Sequence, residues 1–352
     1  MPTIIRELHC DFQIDMRIAD FNYELPEHLI AKEPVNPRDY SRLLVVERNS
    51  NRISHQHFFD LPKFLEAGDC LVRNTSRVIP ARLPAVSQAR QKVEVFLLKR
   101  LSSSPHTWQC LVKPGKKIKE TLAVHLKDET LVTIKKNPDG SFEVILPEKA
   151  DFWSWLDLVG EPPLPPYIKR NVTPQDTERY QTVFSNVMGS VAAPTAGLHF
   201  TDRLLEELRN KKVEIADVLL HVGYGTFAPM RGEYLKDHVM HEEFYSIPKP
   251  TLDLIQKTHQ QNRRVVAVGT TSLRSLESLS IFGPEGHTNL FITPGYEFKE
   301  INGLITNFHL PLSTLFVLVS TLLGPELCKK VYQEAIDQEY RFYSYGDAML
   351  VL

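Results

Sequence analysis

Short strand-like segments between Val78 and Leu146 constrain the fold more than any other feature of this sequence. Apolar and polar residues alternate in KVEVFLLKR, TWQCLVKPG, TLAVHL, TLVTIKK and SFEVIL, which is the two-residue period of a half-buried strand. Asp139-Gly140 joins the last two segments and suits the tight turn of a β-hairpin. Several short strands at this spacing predict a small sheet or barrel. We therefore predict a β domain over residues 78–154.

The sequence changes character after the proline-rich stretch GEPPLPPYIKR, which we interpret as an extended connector. Helix-like and strand-like segments then alternate: LLEELRNKK, VEIADVLLHV, TLDLIQKTHQQNRR, VVAVGTT and SLRSLESLS. Thr201 is the predicted N-cap of the first of these helices. A chain of 352 residues also exceeds the usual size of one domain. We predict a main α/β domain formed from both ends of the chain, residues 16–77 and 155–352, with the β domain inserted between them.

Cysteine spacing and apolar runs exclude several classes of protein. The four cysteines lie far apart and form no Cys-x-x-Cys pair, so neither a disulfide framework nor a zinc site is indicated. The longest apolar run, STLFVLVSTLLG, is shorter than the roughly 20 residues that span a bilayer, and it predicts a buried helix. The N-terminus has no apolar signal core. We expect a cytoplasmic protein without a membrane segment. Because patterned sequence begins at Met16, we expect residues 1–15 to be an extension with no assigned role.

Positive charge is concentrated in one part of the chain. Between Arg73 and Lys119 there are 11 Lys and Arg residues and one acid, Glu94, although the formal net charge of the whole chain is −2. A lysine-rich sheet edge that resists aggregation would explain this segregation. A polyanion site would explain it too, because Lys and Arg neutralise phosphates. On the second interpretation, nucleic acid is the natural partner.

Four short motifs combine glycine or proline with polar side chains: PTAGLHF, LHVGYGTF, VGTTSLRSLES and TNFHLP. In an α/β sheet, ligands collect at the carboxyl ends of the strands, so we predict that these motifs form one pocket. The candidate catalytic side chains in them are His199, His221 and His309. The candidate ligand-binding residues are Thr195, Gly197, Gly223, Gly225, Thr226, Gly269, Thr270, Thr271 and Asn307.

Each motif also has a purely structural interpretation. A histidine at a strand end is commonly a hydrogen-bonded structural residue, and Thr270 and Thr271 suit the cap of the helix that follows them. No G-x-x-x-x-G-K-[ST] or G-x-G-x-x-G sequence is present, so a nucleotide would have to be held in another way. The segment DHVMHEEF has a His-His-Glu spacing that suits zinc, but it lacks the H-E-x-x-H order and an obvious third ligand. We therefore predict no metal and interpret His241 and Glu242 as candidates for acid-base chemistry.

Seven segments, in a fixed order, carry a resemblance to one family. They are FNYELPEHLIA, VIPARL, YQTVFSNVMGSVAAPTAGLHFT, LHVGYGTF, VVAVGTTSLRSLES, LITNFHLPLSTL and YRFYSYGDAML. Together they resemble the S-adenosylmethionine:tRNA ribosyltransferase-isomerases of queuosine biosynthesis, and the resemblance runs from Met16 to the C-terminus. It implies an α/β domain with a β-barrel insertion.

The resemblance also implies a reaction. The ribosyl part of S-adenosylmethionine moves onto 7-aminomethyl-7-deazaguanine at the wobble position of a tRNA, which gives epoxyqueuosine, adenine and methionine. S-Adenosylmethionine is then a cosubstrate, and the reaction requires no redox cofactor or metal. The expected partners are this tRNA and S-adenosylmethionine, and we expect the chain to act as a monomer.

The chemistry of this reaction suggests roles for the candidate residues. A base must first remove a C5′ proton, which the neighbouring sulfonium acidifies. The candidates for this base are His199 and His221, followed by His241, Glu242 and His309. Gly269, Thr270 and Thr271 are expected to bind the cosubstrate at a helix N-terminus. The residues expected to contact tRNA are Asn74, Arg77, Arg82, Lys116, Lys117 and Arg274.

The residues, considered without the resemblance, are compatible with two other functions. An S-adenosylmethionine-dependent RNA methyltransferase would release S-adenosylhomocysteine. A non-catalytic tRNA-binding protein would release no product. Free adenine therefore distinguishes the ribosyl transfer from both alternatives.

Overall fold

Strands form most of the architecture in the computed structural model, which describes residues 16–116, 118–227 and 229–352. The predicted N-terminal extension, residues 1–15, and Lys117 lie outside the described residues. The strands are β1 (Arg42–Glu47), β2 (Arg52–His57), β3 (Cys70–Asn74), β4 (Ser76–Val78), β5 (Arg82–Ser87), β6 (Lys92–Ser103), β7 (His106–Lys113), β8 (Thr121–Leu126), β9 (Leu131–Lys136), β10 (Phe142–Leu146), β11 (Val187–Ser190), β12 (Glu214–Leu220), β13 (Glu243–Ser246), β14 (Val265–Val268), β15 (Glu285–Thr288), β16 (Gly303–Asn307) and β17 (Ala348–Val351).

All seven α-helices of the described residues follow the barrel strands in sequence. Thr201 accepts a hydrogen bond from the Leu204 amide at 3.2 Å, so the predicted N-cap is confirmed. The apolar run STLFVLVSTLLG forms a helix whose side chains are mostly buried, as predicted. The helices are α1 (Phe152–Val159), α2 (Pro174–Arg179), α3 (Asp202–Asn210), α4 (Lys249–Gln260), α5 (Gly269–Phe282), α6 (Thr314–Leu323) and α7 (Pro325–Asp337).

A nine-stranded mixed sheet joins the two ends of the chain. Its strand order is β15-β13-β12-β3-β14-β16-β17-β1-β2. β12, β3, β14 and β16 are parallel neighbours, whereas β17 runs antiparallel to β16 and parallel to β1. Because β1 precedes the barrel and β17 is the last strand of the chain, the predicted α/β domain built from both ends is confirmed.

Apolar layers cover both faces of this sheet. In β14 all four residues are buried, and their side chains alternate between two clusters. Val265 and Ala267 pack with residues of α4 to α7, whereas Val266 and Val268 pack with residues of α3 and the segment Phe58–Phe64. A continuous apolar run is therefore the expected sequence of such a strand.

The inserted strands close into a six-stranded barrel in the order β10-β7-β6-β5-β8-β9. All its pairings are antiparallel, and the predicted β-barrel insertion is confirmed. Helix α1 packs its buried residues into the barrel core, through Phe152, Trp155, Leu156 and Val159. The division at residues 78–154 stays a prediction, since α1 extends beyond its C-terminal limit.

None of the helices in the described ranges combines the length and the apolar character that crossing a bilayer requires.

Candidate active site at the edge of the sheet

The carboxyl ends of four parallel strands meet at one edge of the large sheet. β12, β3, β14 and β16 end at Leu220, Asn74, Val268 and Asn307 respectively. The turn Thr195–His199 packs against β16 and α5 at the same edge. The structure therefore brings the four motifs together, because three of them continue directly from neighbouring parallel strands and the fourth packs beside them.

Asn74 cross-links this edge from inside. Its amide nitrogen donates to the Leu220 carbonyl at 2.9 Å and to Thr271 Oγ1 at 3.3 Å. Its amide oxygen accepts from the backbone amides of Leu220 and Ser76, at 3.1 Å and 3.0 Å. The side chain is 1% exposed, and both of its polar atoms bond to the sheet edge. tRNA contact by Asn74 stays a prediction.

A cleft of about 670 Å³, including its open mouth, lies at this edge. Its wall combines apolar residues with a few polar side chains, which is typical of a small-molecule site. None of the described residues on its wall carries a carboxylate. The sequence-predicted residues on the wall are Thr195, Thr226, Gly269, Thr270, Thr271, Asn307 and His309. The wall also contains polar residues that were not predicted, namely Tyr167, Thr306, Ser313, Tyr343 and Ser344.

His309 is the histidine on the cleft wall. Its Nε2 lies 2.8 Å from Thr306 Oγ1, and its Nδ1 has no hydrogen-bond partner among the described residues. The backbone of His309 is held by Tyr332, whose hydroxyl accepts from its amide at 3.2 Å, and by Tyr23, whose hydroxyl donates to its carbonyl. Burial lowers the pKa of His309 to about 3, so the ring is neutral at neutral pH.

His199 lies behind the wall, with both ring nitrogens in use. Nδ1 lies 2.7 Å from Ser41 Oγ, and Nε2 lies 3.1 Å from Asn307 Nδ2. Its ring stacks on Phe58 with 5.0 Å between centroids. Burial, followed by the charges of Arg341 and Arg38, lowers the pKa of His199 to about 3. This neutral ring orients Asn307 and presents no free nitrogen to the cleft, so the geometry does not support His199 as the base.

Asn307 is hydrogen-bonded to His199 and lies on the cleft wall. Its amide nitrogen donates to His199 and to the Tyr343 carbonyl, at 3.1 Å in each case. Its amide oxygen is buried and has no hydrogen-bond partner within the described chain. A buried acceptor without a partner costs free energy unless a ligand supplies a donor. Asn307 therefore offers the cleft an oriented acceptor.

The other three candidate bases lie away from the cleft wall. His221 packs its ring against Gly189, where a Cβ atom would lie 2.5 Å from the ring, and burial lowers the His221 pKa. His241 lies against Gly225 in the same way, at 2.3 Å from an added Cβ. Glu242 is exposed. The glycines at these two positions therefore allow close packing of histidine rings.

A buried ion pair holds the LHVGYGTF loop. Glu243 and Arg274 pair at 6% side-chain exposure each. Glu243 Oε1 also accepts from the Gly223 amide at 2.8 Å, and Thr226 Oγ1 lies 3.5 Å away. Arg274 Nε donates to the Leu290 carbonyl at 3.1 Å. Arg274 was expected to contact a carboxylate or a phosphate, and its partner in this structure is the internal carboxylate of Glu243.

Gly197 and Gly223 are also explained by packing. An added Cβ at Gly197 would lie 2.7 Å from Thr182 and 2.8 Å from Phe184, so only glycine fits that turn. Gly223 donates its amide to Glu243 and is not on the cleft wall. Ligand contact by these glycines stays a prediction.

The basic side chains of the barrel are mostly exposed. Arg82, Arg100 and Lys136 are half-buried, and Arg82 pairs with Glu94 at 3.0 Å. Arg77 and Lys116 are exposed, as are four further lysines that have no carboxylate oxygen within 4.0 Å among the described residues, namely Lys92, Lys99, Lys113 and Lys119. tRNA contact by Arg77, Arg82 and Lys116 stays a prediction, and Lys117 lies outside the described residues.

Among the described residues, no group of three His, Cys, Asp or Glu side chains is placed to hold a metal ion. His238, His241 and Glu242, which provide the zinc-like spacing, do not form such a group.

Comparison with known proteins identifies the family that shares this fold and these motifs. The family model described as "Queuosine biosynthesis protein" matches residues 18–351. The chain belongs to this family.

Relatives of the queuosine biosynthesis family match the chain along nearly its whole length. The S-adenosylmethionine:tRNA ribosyltransferase-isomerase of Desulfitobacterium hafniense is 48% identical over 345 residues, which are 96% of this chain and 100% of the relative. The Thermotoga maritima protein of the same name is 46% identical over 342 residues, with the same coverage. A crystal structure of S-adenosylmethionine tRNA ribosyltransferase from Thermotoga maritima aligns at 36% identity with a TM-score of 0.55, covering 95% of this chain and 100% of that one. The expected family is confirmed.

The site residues that the sequence did not reveal come from distant parts of the chain. Ser41 reaches His199 across 158 positions. Tyr343 and Ser344 belong to YRFYSYGDAML, a segment that carries the family resemblance and was not linked to the cleft. Glu243 follows Glu242 in DHVMHEEF. Glu243 is the first residue of β13 and is buried, whereas Glu242 precedes the strand and is exposed.

Proposed function

We propose that this chain transfers and isomerises the ribosyl moiety of S-adenosylmethionine onto 7-aminomethyl-7-deazaguanine in a tRNA, and releases adenine and methionine. The relatives that match 96% of the chain are named S-adenosylmethionine:tRNA ribosyltransferase-isomerase, which is this activity. The observation that carries the chemical part of the proposal is the His309 ring, which is neutral and borders a small-molecule cleft with one nitrogen unpaired.

His309 is the proposed base. When Nε2–H donates to Thr306 Oγ1, Nδ1 keeps the lone pair that removes a proton. The sulfonium of the cosubstrate acidifies the C5′ protons, so a neutral imidazole within about 3 Å of that carbon suits the first step. Opening of the ribose then expels adenine, the aminomethyl group attacks the opened sugar, and departure of methionine closes the epoxide. His241 and Glu242 are the second candidates, since the His241 ring lies against Gly225, next to Thr226 of the cleft wall, and Glu242 follows His241 in sequence.

Two parts of the wall suit the polar ends of S-adenosylmethionine. Gly269, Thr270 and Thr271 form the first turn of α5, where unpaired backbone amides favour a carboxylate. The unpaired oxygen of Asn307 suits an N–H group, either the ammonium of the methionine part or the amine of adenine. We propose that these groups bind the cosubstrate, together with Thr195 and Thr226 of the same wall.

We further propose that the tRNA lies along the barrel, where the exposed lysines suit phosphates. The reaction is proposed to take place in the cytoplasm, on a single chain. Three free cysteines, Cys70, Cys110 and Cys328, are buried in the described residues, which is consistent with a reducing compartment.

Product analysis tests the proposal directly. The protein is incubated with S-adenosylmethionine and tRNA that carries the deazaguanine precursor, and the released small molecules are separated by chromatography. We expect adenine and methionine in equal amounts, with the label of ribose-labelled cosubstrate found in the tRNA. S-Adenosylhomocysteine would show a methyltransferase instead, and the absence of any product would leave only a binding function.

A further inference from the structure

A second groove lies between the β-barrel and the proline-rich connector. It encloses about 1410 Å³, including its open side. Phe96 and Leu111 of the barrel line one wall, and Pro165 and Ile168 of the connector line the other. Tyr224 of the LHVGYGTF loop also lines the groove. The groove is therefore a contact zone between the basic barrel and the domain that holds the cleft.

The groove and the cleft are neighbours that share three segments of chain. Within each segment, one residue lines the cleft, and a residue one or two positions away lines the groove. In these segments, only one or two positions in sequence separate a residue of the cleft wall from a residue of the groove wall. A polymer that places one unit in the cleft can therefore place an adjoining unit in this groove. The three pairs are Tyr167 and Ile168, Ala193 and Val191, and Thr226 and Tyr224, with the cleft residue named first.

Tyr224 presents an aromatic ring at this boundary. It is 38% exposed, and its ring contacts Phe96 edge to face with 5.4 Å between centroids. The backbone next to it is fixed, because the Gly223 amide donates to the buried Glu243 carboxylate at 2.8 Å. An exposed aromatic ring on an anchored loop is a surface on which nucleobases stack.

The charges of the groove leave one cation without a partner. Arg82 pairs with Glu94 at 3.0 Å, and Arg170 pairs with Asp176 at 2.6 Å. Lys113 is exposed, and no carboxylate oxygen lies within 4.0 Å of it in the described part of the chain. The groove therefore combines apolar and aromatic walls with a net positive charge, which suits a base and its phosphate together.

We propose that this groove holds an unpaired nucleotide of the substrate tRNA that adjoins the reacting nucleoside, with its base stacked on Tyr224 and its phosphate near Lys113. This inference rests on the proposed function, because it requires an RNA whose modified nucleoside occupies the cleft. A peptide segment would fill the apolar walls but would leave Lys113 without an anion.

Substitution of Tyr224 tests the stacking. Stem-loop RNAs carry 2-aminopurine on the 5′ or the 3′ side of the target base, and binding is followed by the fluorescence of that base. Stacking on one aromatic ring corresponds to roughly 5- to 150-fold in affinity. We expect Tyr224→Ala to weaken binding within this range and to abolish the quenching, while Tyr224→Phe keeps both. Leu131→Ala removes another exposed apolar side chain, on β9 of the same barrel, and should leave binding unchanged.

Lys113→Ala provides an independent test of the phosphate contact. We expect the slope of log affinity against log salt concentration to fall by about 1, which corresponds to one phosphate. An unchanged slope together with wild-type binding by Tyr224→Ala would overturn the proposal. A rise in the KM for S-adenosylmethionine alone in Tyr224→Ala would overturn it as well, because the groove would then belong to the cosubstrate. Failure of the proposed function would be recognised separately, because the wild-type protein would then release no adenine. The RNA-binding experiments on Tyr224→Ala and Lys113→Ala would still test the groove.

Discussion

The sheet edge and the β-barrel hold their polar groups in opposite ways. At the sheet edge, Asn74 and His199 are buried, and their side chains are bonded to other parts of the protein. On the barrel, Lys92, Lys99 and Lys116 are exposed, and none has a carboxylate oxygen within 4.0 Å among the described residues. A buried network fixes geometry, whereas exposed charges provide affinity with little geometric constraint. Turnover and tRNA affinity should therefore respond separately to substitutions in the two regions.

The largest expected effect is on turnover, at the sheet edge. His309→Ala removes the proposed base, and we expect kcat for adenine release to fall roughly 100- to 10,000-fold. The affinity for tRNA should stay at the wild-type value, since the barrel is untouched. His221→Ala is the matched control, because His221 is a partly buried histidine that is not on the cleft wall. Equal losses in the two variants would contradict the assignment.

The next effect is on stability, in the ion pair that holds the LHVGYGTF loop. Glu243→Ala leaves Arg274 as an unpaired buried charge, and we expect a loss of about 3–5 kcal/mol in the free energy of unfolding. Glu242→Ala changes the neighbouring exposed carboxylate, and its cost should stay within about 0.5 kcal/mol. Urea unfolding of both variants measures the difference. Similar stabilities would show that the Glu243–Arg274 pair is not a structural element.

The buried histidines also predict how stability depends on pH. The pKa values of His199 and His309 are lowered to about 3 in the folded protein, whereas an unfolded histidine has a pKa of about 6.5. The unfolded state therefore binds more protons below this value, and the free energy of unfolding falls as the pH decreases from about 6.5 toward 3. The slope is up to about 1.4 kcal/mol per pH unit for each histidine.

Unfolding experiments between about pH 5 and pH 8 check this slope. His199→Gln should lower the slope by the contribution of one histidine, while His57→Gln, at an exposed position, should leave it unchanged. A slope that is the same in all three proteins would show that His199 does not stay neutral on folding.

The smallest expected effect is on the barrel. Lys99→Ala should weaken tRNA binding only a few-fold and reduce the salt slope by about 0.9 if it contacts one phosphate. Lys330→Ala, an exposed lysine on α7, is the control. kcat at saturating tRNA should not change in either variant. A loss of kcat in Lys99→Ala would contradict the prediction that turnover depends on the sheet edge and tRNA affinity on the barrel.

Local patterns predicted the elements well and the site only in part. The alternation in KVEVFLLKR and the turn at Asp139-Gly140 depend on neighbours in sequence, so the barrel hairpins were predictable. Buried strands such as β14 were predictable from their continuous apolar runs. That the motifs would meet followed from the general geometry of parallel strands.

The roles of the individual histidines depend on residues that are distant in sequence. His199 and His309 both end glycine- or proline-containing motifs, and nothing local distinguishes them. Ser41 and Asn307 occupy both nitrogens of His199, at sequence separations of 158 and 108. His309 Nε2 bonds to Thr306, only three positions away, and no side chain from a distant part of the described chain pairs with its Nδ1. Such a difference follows from tertiary packing, which a single sequence does not specify.

Chemical rescue of His309→Ala by imidazole tests the central claim most directly. The substitution removes a ring that borders the cleft, so free imidazole has room to replace it. Adenine release is measured with saturating S-adenosylmethionine and precursor tRNA as imidazole is added, in His309→Ala and in His199→Ala. We predict that imidazole restores adenine release in His309→Ala and not in His199→Ala, since His199 lies behind the wall. Rescue of His199→Ala alone would contradict this account and would make His199 the base.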